Sequence, residues 1–258
     1  MKLTVEAELV YDFQEGTEVI AALEAAMSKD QEILEESLHI EPGIEVRRDR
    51  NLVGERTFRG TFSGNVTVRY RASVENGLRQ LLPRRGRQHP WSELPDYVVP
   101  LLLPSRFCPS DKFGRFAQRE FAAAGDGVAR VIQVLDWLHR NVDYVHGVST
   151  AETTAERTFV DRAGVCRDFS HLGITLCRAL GIPARAVSAY ALDLVPADFH
   201  AVFEVYLEQA WWLVDPTRLV AVGGIVRIGS GRDASDIAFL TTDKPCRMLH
   251  QTVSVQKA

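Results

Sequence analysis

The sequence predicts an α+β fold, a β-rich N-terminal region followed by a mixed region in which helices precede a small set of strands. Three observations carry this. Leu3, Val5, Ala7, Leu9 and Tyr11 alternate with polar residues, as do Val66, Val68, Tyr70, Ala72 and Val74, the period-two pattern of half-buried strands. Val128, Val131, Ile132, Leu135 and Leu138 form one apolar stripe at helical spacing. After Leu180, short β-rich runs recur.

Taken in order, the N-terminal strands are punctuated by the turn-forming pairs Pro42-Gly43 and Asn76-Gly77. Residues 17–40 are ambiguous: alanine and glutamate favour helix, but the apolar positions follow no clean period. Residues 83–109 hold six of the eleven prolines and read as a connector with a short helix near 94–103. Ser110 is placed to cap a helix running to about Ala124, stopped by Gly125, and a second helix spans 128–141. Ala163-Gly164-Val165 then leads into a helix from Cys166 to Leu180. Phe169, Leu172, Leu176 and Leu180 form its apolar face, and Gly181 and Pro183 end it. The β-rich runs that follow cover 185–190, 200–207, 211–215, 224–228 and 249–255. The expected division is a β-rich domain at 1–82, a connector at 83–110 and a second domain at 111–258.

With 258 residues, 46% of them hydrophobic and 25% charged, the chain has the profile of a soluble globular protein able to bury its own cores. A net charge of −4 argues against nucleic acid as a partner, which usually demands a basic face. The one basic cluster, Arg84, Arg85 and Arg87, reads as a solvated loop. The longest apolar run, 98–103, is short and contains Pro100, so no membrane partner is expected. The start shows no basic-then-apolar leader, and Cys108, Cys166, Cys177 and Cys246 have no paired spacing. A reducing cytoplasm is the expected compartment. Without a C-x-x-C, H-E-x-x-H or Cys/His cluster, no metal site is expected.

Cys166 follows a glycine at a predicted helix start. Helix N-termini carry partial positive charge and free N–H groups. Both favour the thiolate, the reactive form, and the N–H groups could hold an oxyanion. A buried cysteine acting as a small hydrophobe is the competing reading, and it is assigned to Cys108, Cys177 and Cys246. A thiol nucleophile needs a base, and the base an orienting partner. His200 opens the run 200–207 and Asp215 closes the run 211–215. If Glu208-Gln209 is a two-residue hairpin loop, Val202 lies opposite Asp215. His200 then sits diagonal to Asp215 on one face. A three-residue loop would separate them. Taken singly, His200 reads as a structural histidine and Asp215 as a turn residue. The three together, in the order Cys, His, Asp, point to catalysis.

Gly164-Val165-Cys166-Arg167-Asp168-Phe169-Ser170-His171-Leu172 resembles the nucleophile motif of bacterial transglutaminase-like proteins. Asp198-Phe199-His200-Ala201-Val202-Phe203-Glu204-Val205-Tyr206 resembles their histidine motif, and Trp212-Leu213-Val214-Asp215-Pro216-Thr217 their aspartate motif. The spacing of the three fits. Residues 102–110 and 231–236 are similar to stretches flanking that core, and the strand-rich start to the family's N-terminal region. The resemblance implies a papain-like core in which the helix bearing Cys166 packs on a small antiparallel sheet. It further implies Cys166 as nucleophile, His200 as base, Asp215 as orienting residue, and acyl transfer through a thioester on a peptide or protein substrate, with no cofactor. Position 167, commonly glutamine in such motifs, is Arg167 here; a cation beside the thiolate and a solvated side chain are the two readings, the second favoured. An upstream side chain completes the oxyanion hole in relatives. Tyr144, Trp137 and the threonines near Thr153 are candidates, with both aromatics expected in the core. Asp168 and His171 are expected to pair or to serve the helix start, and one of Trp211 and Trp212 to wall the active-site groove.

Hydrolysis and transglutamination share the first half-reaction, so the triad does not separate them; hydrolysis is the expectation because water is the default acceptor. Arylamine acetylation from acetyl-CoA would call for a phosphate loop, and no Gly-rich one is present. A non-catalytic binding module of the same fold is the third reading, opposed by the intact triad.

Overall fold

The alternation at the N-terminus becomes β1 (Lys2–Ala21), with Leu3, Val5, Ala7 and Leu9 buried on one face. The computed structural model describes residues 1–77, 81–125 and 127–258. β2 (Glu32–Glu41), β3 (Arg47–Arg50) and β4 (Arg56–Glu75) follow. The ambiguous stretch is therefore the end of β1, a loop and β2, with no helix. Ala25 and Ala26 are buried there because their segment folds against the sheet. The Tyr70 hydroxyl accepts from Ala25 N–H at 3.1 Å, and Arg56 Nε donates to Ala25 O at 3.0 Å. Tertiary contacts override the local helix propensity.

In the connector, the expected short helix is two separate 3₁₀ turns, Trp91–Glu93 and Val99–Leu102. Pro95 and Pro100 lack the N–H groups that one continuous helix would use. Ser110 lies inside a 3₁₀ turn, Ser110–Lys112, and makes no cap bond. α1 (Gly114–Phe121) comes next, and Gly125, at φ +95°, ends the segment as expected. α2 (Val128–Asn141), β5 (Asp143–Tyr144), α3 (Ala155–Asp161), β6 (Ala163–Gly164) and α4 (Cys166–Ala179) lead to the strands β7 (Ala184–Ala191), β8 (Phe199–Leu207), β9 (Ala210–Val214), β10 (Ile225–Gly231), β11 (Leu240–Thr242) and β12 (Cys246–Lys257).

Two sheets organise these elements. β10-β7-β8-β9 is wholly antiparallel, and α4 packs across it, burying Leu172 and Leu176 with Phe203 and Val205 of β8 and β7's Ala184. The N-terminal sheet runs β11-β1-β4-β2, with β3 on β4 and β12 along β1. β12 pairs with β1 from Leu3 to Phe13, and β11 pairs with Val19 to Ala21. The C-terminal strands, which the sequence division assigned to region 111–258, thus complete the sheet of region 1–82. The two sheets share a core: Tyr190, Phe199, Val226 and Ile228 of the second sheet pack with Leu3, Phe58 and Tyr70 of the first. Among the described residues no helix is long and apolar enough to cross a membrane.

Candidate active site

Cys166 opens α4, and the geometry just before it explains why. Val165 arrives extended, at φ −112° and ψ −178°, and its N–H donates to Asp168 Oδ2 at 2.9 Å. Asp168 N–H in turn donates to Val165 O at 2.9 Å. Asp168 is therefore the helix-start acid, fully buried under the first turn. Gly164 makes room for it: a Cβ at 164 would stand 2.6 Å from Asp168 Cβ. Cys166 is half-buried, and as the first helical residue its N–H lies outside the helix ladder.

The hairpin β8–β9 places the other two residues. Glu208 and Gln209 take φ of +51° and +60°, the left-handed pair of a two-residue hairpin loop. Pairing runs from Leu207–Ala210 to Phe203–Val214. One step further sets Val202 opposite Asp215, so the two-residue loop puts His200 diagonal to Asp215. His200 Nε2 lies 3.2 Å from Asp215 Oδ2, with both side chains buried. The contact is off the linear hydrogen-bond direction. Asp215 serves the turn as well: Oδ1 accepts from Thr217 N–H at 2.9 Å and from its hydroxyl at 2.6 Å, and Oδ2 accepts from Val220 N–H at 3.1 Å.

Electrostatics follow the geometry. Burial works to lower the pKa of His200, but the Asp215 carboxylate and the Cys166 thiol beside it outweigh burial and raise it to about 9. Burial opposes ionisation of Asp215, and His200 and Thr217 together hold its carboxyl below the usual range. Burial pushes Cys108 and Cys177 up to about 12, so these thiols are packing residues.

Tyr144 packs on the core, as expected of an aromatic there, but its hydroxyl faces Cys166. The parallel pair β5–β6 sets Tyr144 beside Gly164, and Val145 N–H donates to Gly164 O at 3.0 Å. The ring leans on Phe169, with centroids 5.9 Å apart, while the hydroxyl lies against the backbone N–H and thiol of Cys166. Burial and then the Cys166 thiol push the phenol pKa upward. A two-residue parallel bridge leaves no periodic trace in a sequence, which is why the position could not be read there. Trp137 is a core aromatic, as expected, stacked on Phe159. Thr153 Oγ1 accepts from Thr150 N–H at 2.9 Å within its own loop.

Arg167 is not the solvated side chain favoured from sequence. Its guanidinium donates to Thr150 O and contacts Asp168 Oδ1 at 3.2 Å, and its side chain is 26% exposed. It ties the loop after Tyr144 to the first turn of α4. His171 does not pair with Asp168 either. Its Nε2 accepts from Ala234 N–H at 3.1 Å, and its ring stacks on Phe107 at 5.1 Å. Burial lowers its pKa to about 4, so it is a neutral residue holding loop 231–236 to the helix. Trp212 Nε1 donates to Leu207 O at 2.9 Å and packs on the core. Trp211 packs against Tyr206 and under Arg185, lining a cavity with Arg227 and Glu204 away from Cys166. Neither tryptophan walls the groove at the thiol.

Residues 115–216 match the model of the transglutaminase-like superfamily, and residues 1–84 that of the bacterial transglutaminase N-terminal domain. A crystal structure from Cytophaga hutchinsonii, described as a candidate cysteine protease, aligns over 99% of this chain and 90% of that one. Its TM-score is 0.94, at 36% identity. An uncharacterised protein of Mycobacterium leprae is 27% identical over 164 residues, 58% of this chain and 58% of its own length. One of Mycobacterium tuberculosis is 31% identical over 142 residues, 47% of this chain and 45% of its own. The match thus spans about half the length of these mycobacterial relatives.

Proposed function

The chain belongs to the transglutaminase-like superfamily, and from that premise and the site geometry we propose that it is a thiol-dependent acyl-transfer enzyme that hydrolyses a peptide or isopeptide amide. The observation that carries the reading is the buried His200, whose Nε2 lies 3.2 Å from Asp215 Oδ2 and whose charged form the neighbouring Cys166 thiol also favours. In the proposed cycle Cys166, its thiol proton passed to His200, attacks the amide carbonyl as the thiolate, and the C=O π electrons move to oxygen. The Cys166 N–H and the Tyr144 hydroxyl donate to that oxyanion. The oxyanion collapses, the C–N bond breaks, and imidazolium His200 gives its proton to the leaving amine. A water, deprotonated by His200, then attacks the thioester, and the acid product and free thiol are released. Asp215 stays ionised and holds the imidazole ring. Transfer to an amine in place of water uses the same acyl-enzyme, and a protein of this fold without turnover would keep the geometry but not the reactivity. The compartment we propose is the cytoplasm, from the four unpaired cysteines.

The test is the pH dependence of Cys166 alkylation by iodoacetamide, read by mass spectrometry, in wild type and His200→Ala. Expected is labelling of Cys166 below pH ~7 that the substitution slows at least about 10-fold. Labelling that rises only near ~8.5, the ordinary thiol value, and ignores the substitution would refute the assignment. Because His200 stays protonated up to about 9, amide turnover should fall on the alkaline side as pH rises through that value, when the proton for the leaving amine is lost.

A further inference from the structure

One buried hydroxyl beside the site is used by none of these steps. Ser170 lies four residues after Cys166 in α4, so the two side chains share a face of the helix, one turn apart. Ser170 is 1% exposed, and its Oγ donates to Ala201 O at 3.0 Å. Ala201 follows His200 directly in β8. The helix face that carries Cys166 is thus tied, one turn on, to the peptide next to His200. A serine hydroxyl has one proton to donate. Inside a helix that proton often goes to the carbonyl four residues back; here it leaves the helix and crosses to the strand. Alanine would suit the helix better, so the cross-link is what serine adds at this position.

Two features give this one bond its leverage. Among the described residues, β8 pairs with β7 alone over 199–202, because the ladder to β9 ends at the pair of Phe203 with Val214. The segment that carries His200 therefore has no strand neighbour on one edge. Further along, α4 meets β8 through apolar side chains, Leu172 and Leu176 with Phe203 and Val205. Apolar packing is non-directional: it holds the helix down on the sheet without fixing its position along the strand. A hydrogen bond is directional. Sliding α4 along β8 stretches the bond from Ser170 to Ala201 and moves Cys166 past His200 by the same amount, since one helical turn and one peptide separate the tie from the two side chains. We infer that Ser170 is a positioning residue, whose bond to Ala201 O sets the separation of the Cys166 thiol and the His200 imidazole.

This inference rests on the proposed pairing of Cys166 with His200, and its test needs no natural substrate. Alkylation of Cys166 by iodoacetamide is followed against pH in the full chain, in wild type, Ser170→Ala, His200→Ala and the double variant. Thr175→Ala, which removes another buried hydroxyl from α4, is the control. The titratable and charged groups about the thiol are His200, Tyr144 with His146 beside it, and Arg167 and Asp168 of its own helix; neither alanine substitution in α4 alters any of them. Expected at pH ~6.5 is labelling about 5-fold slower in Ser170→Ala than in wild type, with equal rates at pH ~9.5, above the ordinary thiol value. In the His200→Ala background the Ser170 substitution should add nothing, and Thr175→Ala should keep the wild-type profile. A lowered Tm with an unchanged pH profile would make Ser170 a structural residue only and overturn the inference. So would an equal loss at both pH values, an effect that persists without His200, or the same shift in Thr175→Ala. Failure of the acyl-transfer reading shows separately, as a wild-type rate at pH ~6.5 that does not respond to His200→Ala.

Discussion

At the scale of single residues, Tyr144 and Asp168 shape the surroundings of Cys166. Asp168 is buried and spends both oxygens locally, on Val165 N–H and on Arg167, so the first turn of α4 is fixed before any substrate arrives. Tyr144 brings a hydroxyl to a backbone N–H that the helix leaves unpaired. Removing one oxyanion donor costs about 10²–10³ in kcat. Tyr144→Phe should therefore lower amide turnover by about that factor while leaving KM nearly constant. Alkylation of Cys166 by iodoacetamide builds no oxyanion, so its rate should stay at the wild-type level. A loss of both would instead make Tyr144 a residue that shapes the thiol's surroundings.

At the scale of elements, α4 and β8 carry Cys166 and His200, the proposed nucleophile and base, and the separation of helix and strand is set by Gly173. A Cβ there would meet Phe203 Cε1 at 2.7 Å. Alanine gains about 1 kcal/mol of helix propensity over glycine, but overpacking a closed core costs about 1–3 kcal/mol. Gly173→Ala is expected to lower Tm and to slow Cys166 alkylation by moving the helix off the strand; a raised Tm would show that Phe203 yields freely. The neighbouring strands are tied by charge. Glu204 of β8, 1% exposed, accepts from Arg185 of β7 at 2.6 Å and pairs with Arg227 of β10. Although burial alone would raise its pKa, the two arginines hold the carboxyl below the usual range. Glu204→Gln leaves two largely buried cations facing a neutral amide, a loss on the order of 3 kcal/mol. Urea unfolding would show it as a lower midpoint with an unchanged slope.

At the scale of the whole molecule, the two sheets unfold together or separately according to how much they share. Tyr190 of β7 donates its hydroxyl to Leu23 O at 2.7 Å, and Asn76 Nδ2 donates to Gly223 O at 2.7 Å. Arg227 N–H donates to Gln31 Oε1 at 2.8 Å. The chain also returns through β12 to pair with its own first strand. These links are buried or partly buried, and they cross the division expected at 82 and 110. Scanning calorimetry should give one endotherm whose calorimetric and van't Hoff enthalpies agree. Two resolved transitions would mean that the N-terminal sheet is an independent unit.

The sequence by itself determined the α+β class, α2 nearly to the residue, the helix start at Cys166 and the strands around His200 and Asp215. These rest on local physics: apolar period, and glycine and proline at element ends; the sequence allowed either a two- or a three-residue loop between the strands, and with it either placement of His200 relative to Asp215. The diagonal between His200 and Asp215 was set only once Glu208 and Gln209 took their left-handed conformations. Only the tertiary structure decided the rest. It brought Tyr144 to Cys166 through a bridge too short to leave a period, and turned Arg167 inward onto Thr150 because that loop lies over the helix start. It also moved the last strands into the first sheet, since pairing between residues more than 200 positions apart has no signature in either segment. Contacts within a few residues are written in the pattern; those closed by the fold depend on which surfaces meet when the core is buried.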